Sequence, residues 1–346
     1  MRNISDKDLL SRYTATSGAL SELKSTESRR KRTCKFDFQA VGDPFVRDLS
    51  VILSSKAYRR MGEKNQVASS PHLPHVRNRA THSAEVMAHS VRLSEHLGLN
   101  TNLALAIGAG HDIGHVPFGH QGEHYIQEKA KIPFSHEIMG VIIAQNIERK
   151  GVGLNLTFET LEGMYRHSGS NASSVMTQEA WVVRYADKIA FLFADYNDFR
   201  RLNWICNSEL SEYMNWFGMN QRDRTFRTMV ALCEESYTSG FVSFESSEPA
   251  KKFKKLRGLM YEEYVKIVEQ DVSRFLDPIY DFLDKSKLLP PWLGIALLTD
   301  EEVRKLISDH RMLNSKSIMD TGLGEMIRSF SKDELWNIAF ELNLDW

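Results

Sequence analysis

The chain has 346 residues, of which 42% are hydrophobic and 26% are charged, and its formal net charge at pH 7 is −1. This composition excludes collagen-like, fully disordered and membrane-embedded chains, and the near-zero net charge excludes a globally basic nucleic-acid-binding protein. Three scattered cysteines without a CxxC pair exclude a disulfide scaffold. Because no apolar run approaches the ~20 residues that a membrane span needs, we expect a soluble, cytoplasmic protein.

Three segments follow one another along the chain. Residues 1–50 form a polar segment, residues 51–205 carry most of the helical periodicity, and residues 206–346 form a second helical region. Apolar spacing predicts five longer helices, at His82–Leu97, Leu103–Gly110, His136–Arg149, Gln178–Asn203 and Leu256–Leu283. Pro290 and Pro291 mark a break before a smaller C-terminal helical segment. Since sustained alternation with period two is rare, we predict an all-α fold.

The histidines are concentrated in one part of the sequence. Of the 12 histidines, all but His310 lie between His72 and His167. Imidazole is the commonest metal ligand and the usual acid or base near neutral pH. So dense a cluster therefore indicates a chemical site rather than a set of scattered surface residues.

The adjacent pair His111 and Asp112 ends a short apolar helix. Neighbouring helical residues point about 100° apart, so this pair can present a nitrogen and an oxygen to one ion. Two partners are available on other helices: His82 opens an amphipathic helix, and Asp187 interrupts an apolar helical face. Such a mixed site suits Mn²⁺, Fe²⁺, Co²⁺, Ni²⁺ or Zn²⁺. Alternatively, a buried Asp187 simply pairs with a neighbouring lysine such as Lys188.

These residues resemble the signature of the HD-domain phosphohydrolases, and more specifically of the dGTPase-like dNTP triphosphohydrolase family. The similarity covers roughly residues 30–200 and includes Arg47-Asp48, Tyr58–Met61 and Arg79–Val86. The stretch His111–Glu123, HDIGHVPFGHQGE, is similar to the most diagnostic motif of that family almost residue for residue. The resemblance implies an HD-domain helical bundle with additional C-terminal helices. It makes residues 51–205 the catalytic core, and residues 206–346 a region that completes the substrate pocket or an oligomer interface.

The resemblance also implies a role for individual residues. It implies that a divalent cation, with Mg²⁺ added to the ions above, is bound by His82, His111, Asp112 and Asp187. It implies that His120, Glu123 and His136 serve the chemistry, with Glu123 orienting the His120 imidazole. His115 and His167 are equally compatible with structural roles. Family members hydrolyse a dNTP to the deoxynucleoside and inorganic triphosphate by attack at the α-phosphorus, so we expect such an enzyme with a dGTP-like substrate.

Four further positions match substrate contacts of that family. Arg79 and Lys188 match residues that contact phosphate, while Gln66 and Asp195 match residues that hold the deoxyribose. Phe191 departs from the family, which often has a tyrosine there that contacts substrate. Phenylalanine cannot donate a hydrogen bond, so the resemblance supports the reaction better than it supports a particular base.

Two other functions remain open on the sequence alone. The site could hydrolyse a different nucleotide, such as a nucleoside monophosphate or a signalling nucleotide, or the chain could be a catalytically silent nucleotide- or nucleic-acid-binding protein. The resemblance implies a homo-oligomer, and an effector nucleotide is a further candidate partner. The basic run Arg29–Lys35 is a candidate for binding phosphate, single-stranded DNA or a neighbouring subunit. The basic cluster Lys251–Arg257 is interpreted as one charged helix surface.

Overall fold

The computed structural model describes residue 1 and residues 3–33, 42–66, 75–205, 207–267, 271–308 and 313–346. Within these ranges the chain forms helices, and its only extended pairing consists of two isolated β-bridges. The predicted all-α fold is confirmed. Each helix in the described ranges is too short or too polar to span a lipid bilayer. The boundaries at residues 50 and 205 stay predictions.

The helices of the described residues are numbered in chain order. The first nine are α1 (Asp6–Ala15), α2 (Pro44–Leu53), α3 (Lys56–Arg60), α4 (Arg79–Leu97), α5 (Thr101–Gly110), α6 (His120–Ala130), α7 (His136–Ile142), α8 (Phe158–Arg166) and α9 (Gln178–Arg201). The next nine are α10 (Ser208–Phe217), α11 (Gln221–Ser239), α12 (Glu248–Ile267), α13 (Ser273–Ser286), α14 (Pro291–Leu297), α15 (Asp300–Ser308), α16 (Ser315–Met319), α17 (Gly322–Ser329) and α18 (Lys332–Trp336).

One of the five predicted helices was wrong. The segment Leu256–Leu283 is divided between α12 and α13, and residues 271 and 272 are not helical. The Asp271 side chain accepts a hydrogen bond from the backbone N–H of Ser273 at 3.0 Å, which favours a helix start at this point over a continuous helix. The predicted helix His136–Arg149 is α7 followed by the π turn Ile143–Ile147. Apolar periodicity alone registers neither interruption.

Two hydrophobic clusters meet at helix α5. The first packs α4, α5 and α9 against α10, α11 and α12, and the second packs α6, α7 and α8 against the helices from α13 to α18. Leu103 and Ile107 of α5 belong to the first cluster, and Ala109 near its end belongs to the second. The turn after α5, which begins with His111 and Asp112, therefore lies where the two clusters join.

The residues after α5 form a loop, residues 111–119, that we call the HD loop. It packs on α7 at Gly114, where an added Cβ would lie 2.0 Å from the carbonyl oxygen of His136 and 2.2 Å from the backbone nitrogen of Gly140. Both contacts are with backbone, so a side chain at Gly114 has no flexible neighbour to displace. Glycine here sets the distance between the HD loop and α7.

We expect Gly114→Ala to lower the free energy of unfolding by about 1–3 kcal/mol or to prevent folding, because the added methyl group overlaps backbone. Gly258→Ala is the matched control: Gly258 is a helical residue with no atom within 4 Å of an added Cβ. Since alanine is the better helix former, the control is expected to gain up to ~1 kcal/mol. Chemical denaturation measures both changes, and equal stability of the two variants would contradict the packing described.

Candidate active site

Three helices bring the four predicted metal ligands to one place. A capping box at Asn78 starts α4 and places His82 in its first turns. His111 is the C-cap of α5, and Asp112 follows it directly. Asp187 lies in the middle of α9, which packs against both α4 and α5. The site is thus assembled from three helices that already share a hydrophobic core.

The ligand atoms of these residues lie close together. One ligand atom each from His82, His111 and Asp112 lie within 4.8 Å of one another, and His82 Nε2 is 3.0 Å from Asp187 Oδ1. Burial alone would raise the pKa of Asp187, but its hydrogen bond to His82 and the nearby His111 outweigh burial and lower that pKa. All four predicted residues are therefore brought together, with the carboxylates ionised.

The His111 ring is held in the orientation that a metal ligand requires. Its Nδ1 donates a hydrogen bond to the carbonyl oxygen of Gly108 at 2.8 Å, which leaves Nε2 as the atom with a free lone pair. Among the described residues, Nε2 is buried without a hydrogen-bond partner. Ligating histidines typically donate their second ring N–H in this way. Two imidazoles and two carboxylates form a donor set that fits a divalent cation.

Asp112 also forms a salt bridge with a basic side chain, Arg79. Its Oδ2 accepts from Arg79 Nη1 at 2.9 Å, and its Oδ1 lies 3.2 Å from His115 Nε2. Burial would raise the pKa of Asp112, but His111, His115 and Arg79 together hold that pKa well below its usual range. Asp112 therefore stays anionic although it is only 4% exposed.

A second polar cluster surrounds Glu123, one turn into α6. Glu123 Oε1 lies 3.0 Å from His136 Nδ1, 3.2 Å from His115 Nδ1 and 3.3 Å from His120 Nδ1. Burial opposes ionisation of Glu123, but His136 and His120 outweigh it and hold the pKa of Glu123 well below its usual range. Glu123 thus accepts a hydrogen bond from His136, and its Oε1 lies close to the imidazoles of His115 and His120. The His120 side chain is 48% exposed, whereas those of His115 and His136 are buried.

The imidazoles of this cluster differ in their charge. Burial lowers the pKa of His136, but Glu123 and Glu137 outweigh burial and raise it to about 9. Burial, with Arg79 and His136 nearby, lowers the pKa of His115 to about 3. Burial, with His111 and His136 nearby, lowers the pKa of His167 to about 4. At neutral pH, His136 is therefore cationic, whereas the His115 and His167 rings next to it are neutral.

A cavity of about 270 Å³ opens beside the two clusters. Of the residues predicted from the sequence, it is lined by Gln66, Arg79, His82, Asp112, His120, His136, Asp187 and Lys188. His111 and Glu123 lie behind this surface, in contact with Asp112 and His136 respectively. A polyphosphate in the cavity would meet the predicted metal ligands and His120 together.

Asp195 is placed differently from its predicted role. Its side chain is fully buried on α9 and forms an ion pair with Arg77, whose Nε also reaches Asp198 at 3.2 Å. Asp195 is not among the described residues that line the cavity. The Arg77 pair fixes the start of α4 on α9. A deoxyribose contact by Asp195 stays a prediction that this geometry does not favour.

The sequence analysis did not identify several basic and aromatic residues that line the cavity. Arg184 of α9 and Arg257, Tyr261 and Tyr264 of α12 line it together with Phe191. Arg257 was interpreted as part of a charged helix surface, whereas it faces the cavity at the end of the Lys251–Arg257 cluster. The alternation of basic and apolar residues along α12 was the available signal, but it does not indicate which partner helix the face meets.

Two arginines of the basic run Arg29–Lys35 make contacts within the protein. Arg30 pairs with the buried Asp48 at 2.6 Å and donates to the carbonyl oxygens of Asn155 and Pro44. Arg32 donates to the carbonyl oxygen of Val152. Cys34 and Lys35 lie outside the described residues. Binding of single-stranded DNA by this run stays a prediction.

Comparison with known proteins matches the HD-domain family model to residues 79–192. A deoxyguanosinetriphosphate triphosphohydrolase-like protein of Clostridium tetani is 35% identical over 300 residues, covering 82% of this chain and 86% of the relative. The chain belongs to the dGTPase-like family of HD-domain proteins. A protein of the same description from Wolinella succinogenes is 33% identical over 331 residues, covering 78% of this chain and 91% of that relative. Membership supports a nucleotide phosphohydrolase.

We expect Asp195→Ala to lower the free energy of unfolding by about 1–3 kcal/mol, because it removes one of three carboxylates that pair with the buried Arg77, while Asp198 and Glu85 remain. Asp284→Ala is the control, since Asp284 is 56% exposed and pairs only with Lys287 of its own helix among the contacts described. Thermal and chemical denaturation measure both. A stable Asp195→Ala protein with an impaired KM would instead assign Asp195 to the substrate.

Proposed function

We propose that the chain is a metal-dependent dNTP triphosphohydrolase that releases the deoxynucleoside and inorganic triphosphate, with a dGTP-like substrate. The observation that carries the proposal is the convergence of His82, His111, Asp112 and Asp187 beside a cavity that basic and aromatic residues also line. The family description of the relatives, dGTP triphosphohydrolase-like, supports the same reaction class.

The four converging residues are the proposed ligands of one divalent cation. His111 Nε2, buried without a partner among the described residues, and the ionised Asp112 and Asp187 fit such an ion. When bound, the cation supplies positive charge to a phosphate oxygen and acidifies water. Mn²⁺, Mg²⁺, Fe²⁺, Co²⁺, Ni²⁺ and Zn²⁺ are all compatible with these nitrogen and oxygen ligands.

The basic residues of the cavity would hold the triphosphate. Arg79, Lys188 and Arg257 all line the cavity, so several cations are available to neutralise the triphosphate. Burial, with Arg184 and Arg257 nearby, lowers the pKa of Lys188 to about 7. A bound polyanion would raise that pKa again and so favour the charged lysine. Positioning and charge neutralisation are the main requirements of phosphoryl chemistry.

His120 is the proposed proton carrier, with Glu123 as the residue that orients it. The His120 imidazole is exposed to the cavity, and its Nδ1 lies 3.3 Å from Glu123 Oε1. An imidazole held by a carboxylate at one nitrogen can exchange a proton at the other. We assign to His120 the protonation of the leaving deoxynucleoside oxygen, and to the buried His136 cation a role in stabilising charge next to it.

Ion chromatography of products from each of the four dNTPs, with Mn²⁺ or Mg²⁺, tests the reaction. We expect inorganic triphosphate and deoxynucleoside in equal amounts, and their loss in His111→Ala by at least ~100-fold. Release of pyrophosphate would contradict the reaction type. Intact dNTPs together with hydrolysis of a nucleoside monophosphate or signalling nucleotide would assign the site to that alternative substrate.

The cation ligands are tested by metal content. We expect Asp187→Asn to bind a divalent cation at least ~10-fold more weakly, because the neutral amide supplies less charge to the ion. Asp284→Asn, an exposed carboxylate of α13, is the matched control and should retain the wild-type amount. Elemental analysis after dialysis against limiting chelator measures both, and equal metal content in the two variants would remove Asp187 from the ligand set.

A further inference from the structure

Two ionisable side chains are buried beneath the HD loop, and the mechanism above uses neither. Lys64 and Asp300 are each 2% exposed. Burying a charge is costly unless it is paired or hydrogen-bonded, so each needs a reason to be there. Lys64 follows the short 3₁₀ turn Met61–Glu63, and Asp300 begins α15, far from the residues of the proposed active site in the sequence.

Lys64 ties the HD loop to the C-terminal helices. Its Nζ donates to the carbonyl oxygen of His115, in the HD loop, and to that of Ala296 in the last turn of α14 at 3.4 Å. The Lys64 side chain thus bridges two backbone segments that are distant in the sequence.

Asp300 holds the same loop from the other side. Its Oδ1 accepts a hydrogen bond from the backbone N–H of Phe118 at 3.2 Å, and Phe118 has a left-handed backbone with φ of 62°. That conformation costs a residue other than glycine roughly 1–2 kcal/mol, so the surroundings must hold it. The Phe118 ring also stacks on Phe275 of α13 at 5.3 Å.

The turn at Phe118 determines where His120 begins. Gly119 follows with φ of 56°, and an added Cβ there would lie 3.0 Å from Arg79 Nη2. His120 is then the first residue of α6, one turn before Glu123. A change at Phe118 would therefore move His120 relative to both Arg79 and Glu123.

Asp300 is not required as a cap for its own helix. Thr299 performs that function, since its Oγ1 accepts from the backbone N–H of Glu302 at 3.2 Å, and the backbone N–H of Thr299 donates to Glu302 Oε2 at 2.9 Å. The Asp300 side chain is therefore available to accept the hydrogen bond from the HD loop. Stabilising this loop explains its burial better than capping α15 does.

We propose that Asp300 is a positioning residue for His120: its hydrogen bond to Phe118 fixes the left-handed turn that places the imidazole in the cavity. The proposal rests on the function proposed above. In this proposal the C-terminal helices both complete the hydrophobic core and, through Asp300, hold the backbone that positions His120.

The test combines kinetics with amide hydrogen exchange on full-length Asp300→Ala and Asp300→Asn. For Asp300→Ala we expect kcat to fall by about 10–100-fold while KM changes less than about twofold, because a displaced proton carrier affects the transition state more than binding. Asp300→Asn keeps an oxygen that can accept from Phe118 and should stay within about fivefold of wild type. Equal losses in both variants would instead make Asp300 a charge partner of Lys64 and overturn the proposal.

Amide exchange gives a readout that does not depend on the substrate. Peptides covering residues 115–122 should exchange at least ~10-fold faster in Asp300→Ala than in wild type, with no change in Asp300→Asn. Asp277→Ala is the matched control. Asp277 lies on α13 and accepts hydrogen bonds from Tyr125 and Lys129, which lie in α6 beyond residues 115–122. It should leave exchange in residues 115–122 unchanged.

The two readouts separate failure of this proposal from failure of the proposed function. If wild type hydrolyses no dNTP while Asp300→Ala still loosens the loop, the reaction is wrong and the positioning of the loop is right. If exchange in Asp300→Ala equals wild type, the positioning role is wrong whatever the substrate. Should Asp300→Ala not fold, Asp300→Ser replaces it, since its hydroxyl ends one bond short of the Oδ1 position.

Discussion

The buried carboxylate of Asp112 is the constraint on which the rest of the site depends. An ionised group that is 4% exposed requires compensating interactions, which come from the Arg79 guanidinium at the start of α4 and from the His115 imidazole 3.2 Å away. Satisfying this one residue fixes α4, the end of α5 and the HD loop relative to one another. The same arrangement brings His82 and Asp187 into reach, so the requirements of a stable buried carboxylate and of a cation site coincide.

Residues outside the segment that matches the HD-domain family also line the cavity and hold the HD loop. That match ends at residue 192, yet Arg257 and Tyr264 of α12 complete the cavity, and Lys64 and Asp300 contact the backbone of the HD loop. Three of the residues that line the cavity, Arg257, Tyr261 and Tyr264, therefore come from a helix whose sequence carries no motif. Substrate preference can vary through this helix while the metal ligands stay in place.

The fold class and the four residues that converge at the proposed cation site could be predicted from the sequence, because both predictions depend on local patterns. Apolar spacing identified α4, α5 and α9, and an ordered motif series pointed to His82, His111, Asp112 and Asp187. The sequence could not show that Asp195 is paired with Arg77, or that Arg257 faces the cavity, because such contacts depend on how distant helices pack. The break between α12 and α13 was missed for a related reason: both pieces share helical periodicity, and the interruption is set by a local hydrogen bond at Asp271.

The central claim is that the cation binds among His82, His111, Asp112 and Asp187 and that the α-phosphate faces His120. A crystal structure with Mn²⁺ and a dNTP analogue whose α-phosphate resists hydrolysis tests it most directly, with the ion located by its anomalous scattering. We predict one anomalous peak within bonding distance of all four residues, ~2.0–2.3 Å, and the α-phosphate between it and the His120 ring. A peak elsewhere, or a triphosphate directed away from His120, would contradict the account.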